Sequence, residues 1–332
     1  MDAAGSRVVV VTGASAGVGR ATARAFGASG AAVGLIARGR DGLEAARQEI
    51  EAAGGRALVL VCDVADAGQV EAAAARVEAE LGAIDVWVNN AMVTVFGPVH
   101  EIAAEDIRRV TEVTYLGTVH GTLAALKRMR GRGQGSIVQV GSALAYRSIP
   151  LQSAYCAAKA AARGFTDALR CELIHERSPI RLTMVQLSAF NTPQFDWARC
   201  TMPRAPQPLP PIFQPELAAR AIVWAAGHGR REVWVGWPAV KAILGQRAIP
   251  GLLDRLMARQ AWGGQLSDRE VAADRPDNLY EPVPGDAGAH GRFDQRARED
   301  SWQFWLTSHP TPALAAGALA LLVLAVAILG MA

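Results

Sequence analysis

Arg7-Val8-Val9-Val10-Val11-Thr12-Gly13-Ala14-Ser15-Ala16-Gly17-Val18-Gly19-Arg20 opens with β-branched residues and turns through three glycines into a helix-period segment that runs to about Ser29. An unbroken valine run has no polar face, so it reads as a strand covered on both sides, as in a parallel sheet. The glycines allow a tight turn and let an anionic group approach the helix N-terminus. There, unpaired amide hydrogens and the helix dipole favour phosphate. A glycine-rich turn placed between a buried strand and a helix is a strong nucleotide-site signal.

The same alternation continues outward. Ala32–Ala37, Ala57–Cys62, Ile84–Val88, Ser136–Val140, Arg181–Gln186 and Glu232–Val235 read as further strands. Gly42–Ala53, Gln69–Leu81, a long segment Glu105–Met129, Ala154–Arg177 and Glu216–Ala226 read as helices between them. Strands alternating with helices predict an α/β fold: a doubly wound parallel sheet in a three-layer α/β/α sandwich.

Ser142 and Tyr155-Cys156-Ala157-Ala158-Lys159 carry the second signal. Tyr and Lys at i and i+4 share a helix face. A phenol ionises near pH ~10 in water, and an ammonium beside it favours the phenolate. Ser142 adds a hydroxyl able to hold an oxygen on which charge develops. On its own, this triplet is equally compatible with a surface pair on an amphipathic helix.

Taken together, the Thr-Gly-x-x-x-Gly-x-Gly turn, Asn89-Asn90-Ala91 after the fourth strand, and Ser142 with Tyr155-x-x-x-Lys159 resemble the short-chain dehydrogenase/reductase family over about residues 6–240. The resemblance implies a Rossmann-fold oxidoreductase in which Ser142, Tyr155 and Lys159 are catalytic. Thr114 stands where the family often carries an Asn that supports a proton-relay water. Gly13, Ser15, Gly17, Val18 and Gly19 would line the phosphates and ribose, Asp63 the adenine edge, Asn89 and Ala91 the cofactor wall, and Thr192 the nicotinamide carboxamide. Asn89 has a second reading, as a residue that pins neighbouring strands. Tyr155 and Lys159 would also meet the nicotinamide ribose. Many relatives associate through the helices around 105–129 and 154–177, which implies a homodimer or homotetramer.

Cofactor choice is read from the end of the second strand, Ala37-Arg38-Gly39-Arg40, which lacks an acid before Asp41. A ribose diol calls for a carboxylate there. A guanidinium suits a 2′-phosphate, so Arg38 predicts NADP(H), with NAD(H) the alternative.

Three positions depart from the family: Thr114, Met92 in place of a glycine after Asn-Asn-Ala, and Leu187-Ser188 in place of Pro-Gly. They keep a different class open, a membrane-associated cofactor-binding scaffold or redox sensor with little turnover. The leading reading is an enzyme interconverting a carbonyl and a secondary alcohol by hydride transfer, with Tyr155 as acid/base and an apolar substrate.

The remaining composition is restrictive. A net charge of +3 in 332 residues, with Arg128, Arg130 and Arg132 as the only tight basic run, argues against a nucleic-acid partner. Four scattered cysteines and six histidines without ligand spacing predict reduced thiols and no metal. Residues 1–261 read as the catalytic domain, with a proline-rich substrate loop at 192–215 that bears Phe195, Trp197 and Phe213. Residues 262–312, rich in Asp, Pro, Gly and Arg, read as a poorly ordered polar linker. Residues 313–332 carry no charge, and at ~1.5 Å per helical residue they would span about 30 Å. Trp302, Phe304 and Trp305 precede them like an interfacial belt. They predict a single transmembrane anchor on a cytoplasmic catalytic domain, with a buried helix or an oligomer contact as the competing reading.

Overall fold

Valine-rich β1 (Val8–Thr12) lies inside a seven-stranded parallel sheet, between two other strands, and every one of its residues is buried. The other strands are β2 (Ala32–Ala37), β3 (Arg56–Val61), β4 (Ile84–Asn89), β5 (Ser136–Ser142), β6 (Arg181–Leu187) and β7 (Glu232–Val235). Their order across the sheet is β7-β6-β5-β4-β1-β2-β3. The computed structural model describes residues 7–272 and 275–310.

The order reverses between β1 and β4. In such sheets this reversal opens a crevice at the carboxyl ends of the strands. α1 (Gly17–Ala28), α2 (Arg40–Ala52) and α7 (Pro215–Gly227) cover one face, burying Phe26, Leu43, Ile50 and Leu217 against β-strand valines. α3 (Ala67–Glu80), α5 (Gly117–Arg132) and α6 (Ser153–His175) cover the other, with Val70, Val77, Met129 and Leu169 in the core. The fold is thus the expected three-layer Rossmann sandwich.

The long helix expected over 105–129 is interrupted. It consists of α4 (Ala104–Thr111), a π-helical turn over Glu112–Leu116, and α5. A π turn widens the helix by one residue and is often found at functional sites. Thr114 sits in this one.

The proline-rich loop is more ordered than a free lid. Arg199–Cys200 pairs in parallel with Val95–Phe96, and Ile212–Phe213 pairs with both Ala189–Phe190 and Ala297–Arg298. Arg204–Pro206 runs antiparallel to Leu266–Glu270, the strand after α8 (Trp237–Ala248) and α9 (Pro250–Gly264).

The expectation of a poorly ordered linker over 262–312 is corrected. Residues 275–310 pack onto the sandwich, with Leu279, Phe293 and Phe304 buried, and end in the short helix α10 (Trp302–Ser308). Average polarity hid three well-spaced apolar anchors. The backbone of this stretch is held by side chains far away in sequence. The hydrophobic stretch 313–332, read as an anchor, lies outside the described residues. Among the described residues no helix is long and apolar enough to cross a membrane.

Candidate active site

The glycine turn after β1 is built so tightly that only glycine fits. Gly13 and Gly17 have φ of +68° and +57°, in the left-handed region that side chains disfavour. A Cβ on Gly19 would stand 2.0 Å from the Gly13 carbonyl oxygen, and one on Gly13 would stand 2.8 Å from Asn90 Nδ2. α1 has no side-chain N-cap. The Gly17 N–H at its start bonds the Gly288 carbonyl at 3.1 Å, and Ala16, Gly17 and Val18 line the cavity, the setting in which a helix N-terminus receives phosphate.

A cavity of about 690 Å³ takes in this turn. Gly13, Ser15, Gly17, Val18, Arg38 and Asp63 line it, as do Ala91, Ser142, Tyr155, Lys159 and Thr192. Leu144, Ile149, Leu209, Leu253 and Met257 add apolar wall, with Arg147, Gln152, Lys241 and Gln265 among the other lining residues. Its size and the helix terminus without a side-chain cap beside the glycine turn fit a dinucleotide with room for a substrate.

The triad converges on the cavity wall. Ser142 ends β5, and its hydroxyl oxygen accepts the Leu144 N–H at 3.1 Å, leaving the hydroxyl proton to donate. Tyr155 and Lys159 stand one turn apart on α6, with Nζ 5.8 Å from the phenol ring centroid. Nζ donates to the Val140 carbonyl at 2.7 Å. Burial lowers the Lys159 ammonium to about 8. Burial raises the Tyr155 phenol above its usual value, with the Ser142 hydroxyl pulling weakly the other way. Sequence reasoning expected the lysine to acidify the tyrosine. Burial is the largest influence on the phenol and favours its protonated form.

Of four other expected residues, Thr114 and Asn89 lie off the cavity, whereas Asp63 and Arg38 line it. The Thr114 hydroxyl donates to the Val93 carbonyl at 2.9 Å and accepts the Val93 N–H at 3.1 Å, so it fastens the loop after β4 and does not line the cavity. Asn89 follows its strand-pinning reading: its amide joins Trp87 Nε1, Thr122 and Gln139, all buried. Asp63 lines the cavity, but Arg109 holds its carboxylate. Arg38 donates to the carbonyls of Asn278, Leu279 and Tyr280.

Two contributors escaped the sequence reading. Asn90 lines the cavity, and its side chain donates to the Thr12 carbonyl at 2.9 Å, tying β1 to the loop after β4. It stood beside Asn89 in the quoted motif, and strand alternation could have told the inward residue from the outward one. Asn278, Pro282, Val283, Gly285 and Ala287 also line the cavity; no local pattern marks them.

The family profile described as short chain dehydrogenase matches residues 7–200. The "Uncharacterized oxidoreductase YxnA" of Bacillus subtilis is 32% identical over 319 residues, which is 96% of this chain and 89% of the relative. A metagenomic short-chain oxidoreductase solved in complex with NADP superposes with a TM-score of 0.59 at 29% identity, covering 69% of this chain and 96% of the other. A short-chain dehydrogenase from Mycobacterium paratuberculosis bound to NAD gives 0.61 at 26%, with the same coverage.

Proposed function

This chain belongs to the short chain dehydrogenase family, and we propose that it is an NADP(H)-dependent oxidoreductase interconverting a carbonyl and a secondary alcohol. The observation that carries this reading is the convergence of Ser142, Tyr155 and Lys159 in the same cavity as the glycine turn. A nicotinamide cofactor held along that cavity would supply or accept the hydride at the carbon bearing the oxygen. Ser142 orients that oxygen through its free hydroxyl proton. Tyr155 delivers its proton to the oxygen in reduction and takes one back in oxidation. Lys159 places positive charge beneath the phenol and steadies the Val140 backbone at the end of β5. Thr192, also on the cavity wall, would orient the carboxamide.

Arg38 supports NADP(H) over NAD(H). It ends β2 where a ribose diol would need a carboxylate, and among the described residues it bonds only carbonyl oxygens, so its charge stays available to a 2′-phosphate. Since similar structures hold NADP and NAD, the preference rests on this residue. The apolar wall of the cavity supports an apolar ketone or alcohol as substrate. Uncharged residues 313–332, following half-exposed Trp302 and Trp305, support membrane association through the C-terminus. Exposed Leu123 and Ile174, on α5 and α6, support self-association.

The test is NADPH and NADH oxidation against a panel of aliphatic, aromatic and steroidal ketones. Turnover favouring NADPH is expected. Cofactor binding without turnover on any of them would replace the enzyme by the scaffold reading. Fractionation of cells with and without residues 313–332 checks the anchor.

A further inference from the structure

Resting on the cofactor reading above, we propose that residues 278–288 form a clasp over the adenosine half of the groove, so that dinucleotide enters and leaves only when this segment lifts.

The clasp is fastened at both ends and latched in the middle. At its start, the Asn278 N–H bonds the Trp197 carbonyl at 2.9 Å, and Leu279 is completely buried in the core. Arg109 donates to the Leu279 carbonyl at 3.1 Å and Arg38 to the Tyr280 carbonyl at 2.6 Å. Beyond its end, the Phe293 N–H bonds buried Asn191 Oδ1 at 3.0 Å. Between these anchors, Pro282, Val283, Gly285 and Ala287 line the same cavity as the glycine turn.

Three contacts latch the middle. The Gly285 N–H bonds Asp41 Oδ2 at 3.0 Å, Asp286 pairs with buried Arg20, and the Gly17 N–H bonds the Gly288 carbonyl at 3.1 Å. The last contact matters most. It seats the end of the clasp directly on the glycine turn at the start of α1. Unlike the ends, the latch is solvent-accessible: the Asp286 side chain is 42% exposed. Gly285 and Gly288, with φ of +88° and +66°, bracket it with backbone that can pivot. A segment with buried ends and an exposed, glycine-bracketed middle opens locally without unfolding its anchors. Arg38 joins the two functions, because the guanidinium suited to a 2′-phosphate also grips the clasp backbone.

The experiment measures NADPH release from the full-length protein by chasing preloaded NADPH fluorescence with excess NADP+, alongside amide hydrogen exchange over 278–288. Asp286→Ala removes the ion pair, and Gly288→Pro makes the observed φ unattainable. Release is expected to quicken by about tenfold or more in both variants, and exchange over 285–288 in the wild type is expected to change when NADPH is added. Release at the wild-type rate in both variants, or exchange indifferent to NADPH, overturns the clasp while leaving the cofactor assignment intact. Failure of the wild type to bind NADPH at all would instead sink the cofactor reading beneath it.

Discussion

Replacing Lys159 with methionine should stabilise the fold at neutral pH, and by an amount that depends on pH. Lys159 is 3% exposed, and its Nζ finds one partner, the Val140 carbonyl. Burial lowers its pKa from 10.5 to about 8. At ~1.36 kcal/mol per unit, holding the charged amine inside costs roughly 3 kcal/mol. The sign follows from proton uptake. Below about 8 both folded and unfolded chains hold the proton and the full cost applies. Between about 8 and 10.5 the unfolded chain binds more protons, so wild-type stability rises with pH; above 10.5 the cost is gone. Methionine fills similar volume without charge and forfeits one hydrogen bond of about 1 kcal/mol. Lys159→Met should therefore exceed wild type by about 2 kcal/mol at neutral pH, with the gap closing between about 8 and 10.5 and wild type ahead by about 1 kcal/mol above that range. Cys62 and Tyr146, whose pKa values burial raises to about 12, titrate in both proteins and cancel in the difference. Urea unfolding followed by circular dichroism across this range measures it. A methionine variant less stable than wild type at neutral pH, or a gap that does not change with pH, would refute the reasoning.

Three other substitutions separate structural from chemical roles. Thr114→Val deletes both bonds to Val93 and should cost about 1–3 kcal/mol in denaturant titration, with kcat little changed; a kcat as low as that of a triad variant would make Thr114 a proton-relay residue after all. Asn89→Ala strands Trp87 Nε1 and the amide of Gln139, and should cost roughly 2–4 kcal/mol of stability by the same titration. Gly19→Ala drives a methyl toward the Gly13 carbonyl and should weaken NADPH binding, read by fluorescence titration, by about a hundredfold; affinity near that of wild type would show that the turn is not the phosphate site.

The sheet was legible because its signals are local. Seven β-branched runs, each bounded by turn residues and spaced by helix-period segments, fix strands and layers without knowledge of any distant contact. The glycine turn and the Tyr155/Lys159 helix were legible for the same reason. Site chemistry was read less completely. Proximity of Lys159 to Tyr155 pointed toward a lowered phenol pKa, but depth of burial, which a sequence does not display, decides the direction. Asn89 and Asn90 are adjacent in sequence and face different environments, one among strands and one at the cavity. The clasp was hidden most thoroughly. Its grip is formed by Arg38 and three carbonyls some 240 residues away, in a stretch whose polarity looks like linker. Leu279 and Phe293, the apolar residues that secure it, are too sparse to register as a periodic face.

Tyr155→Phe tests the central claim most directly, because it removes one oxygen from the cavity and leaves the ring. With a ketone that the wild type reduces, the variant should bind NADPH with unchanged affinity yet lose turnover by at least about a thousandfold. Turnover retained within about tenfold of wild type would contradict the assignment of Tyr155 as the proton donor.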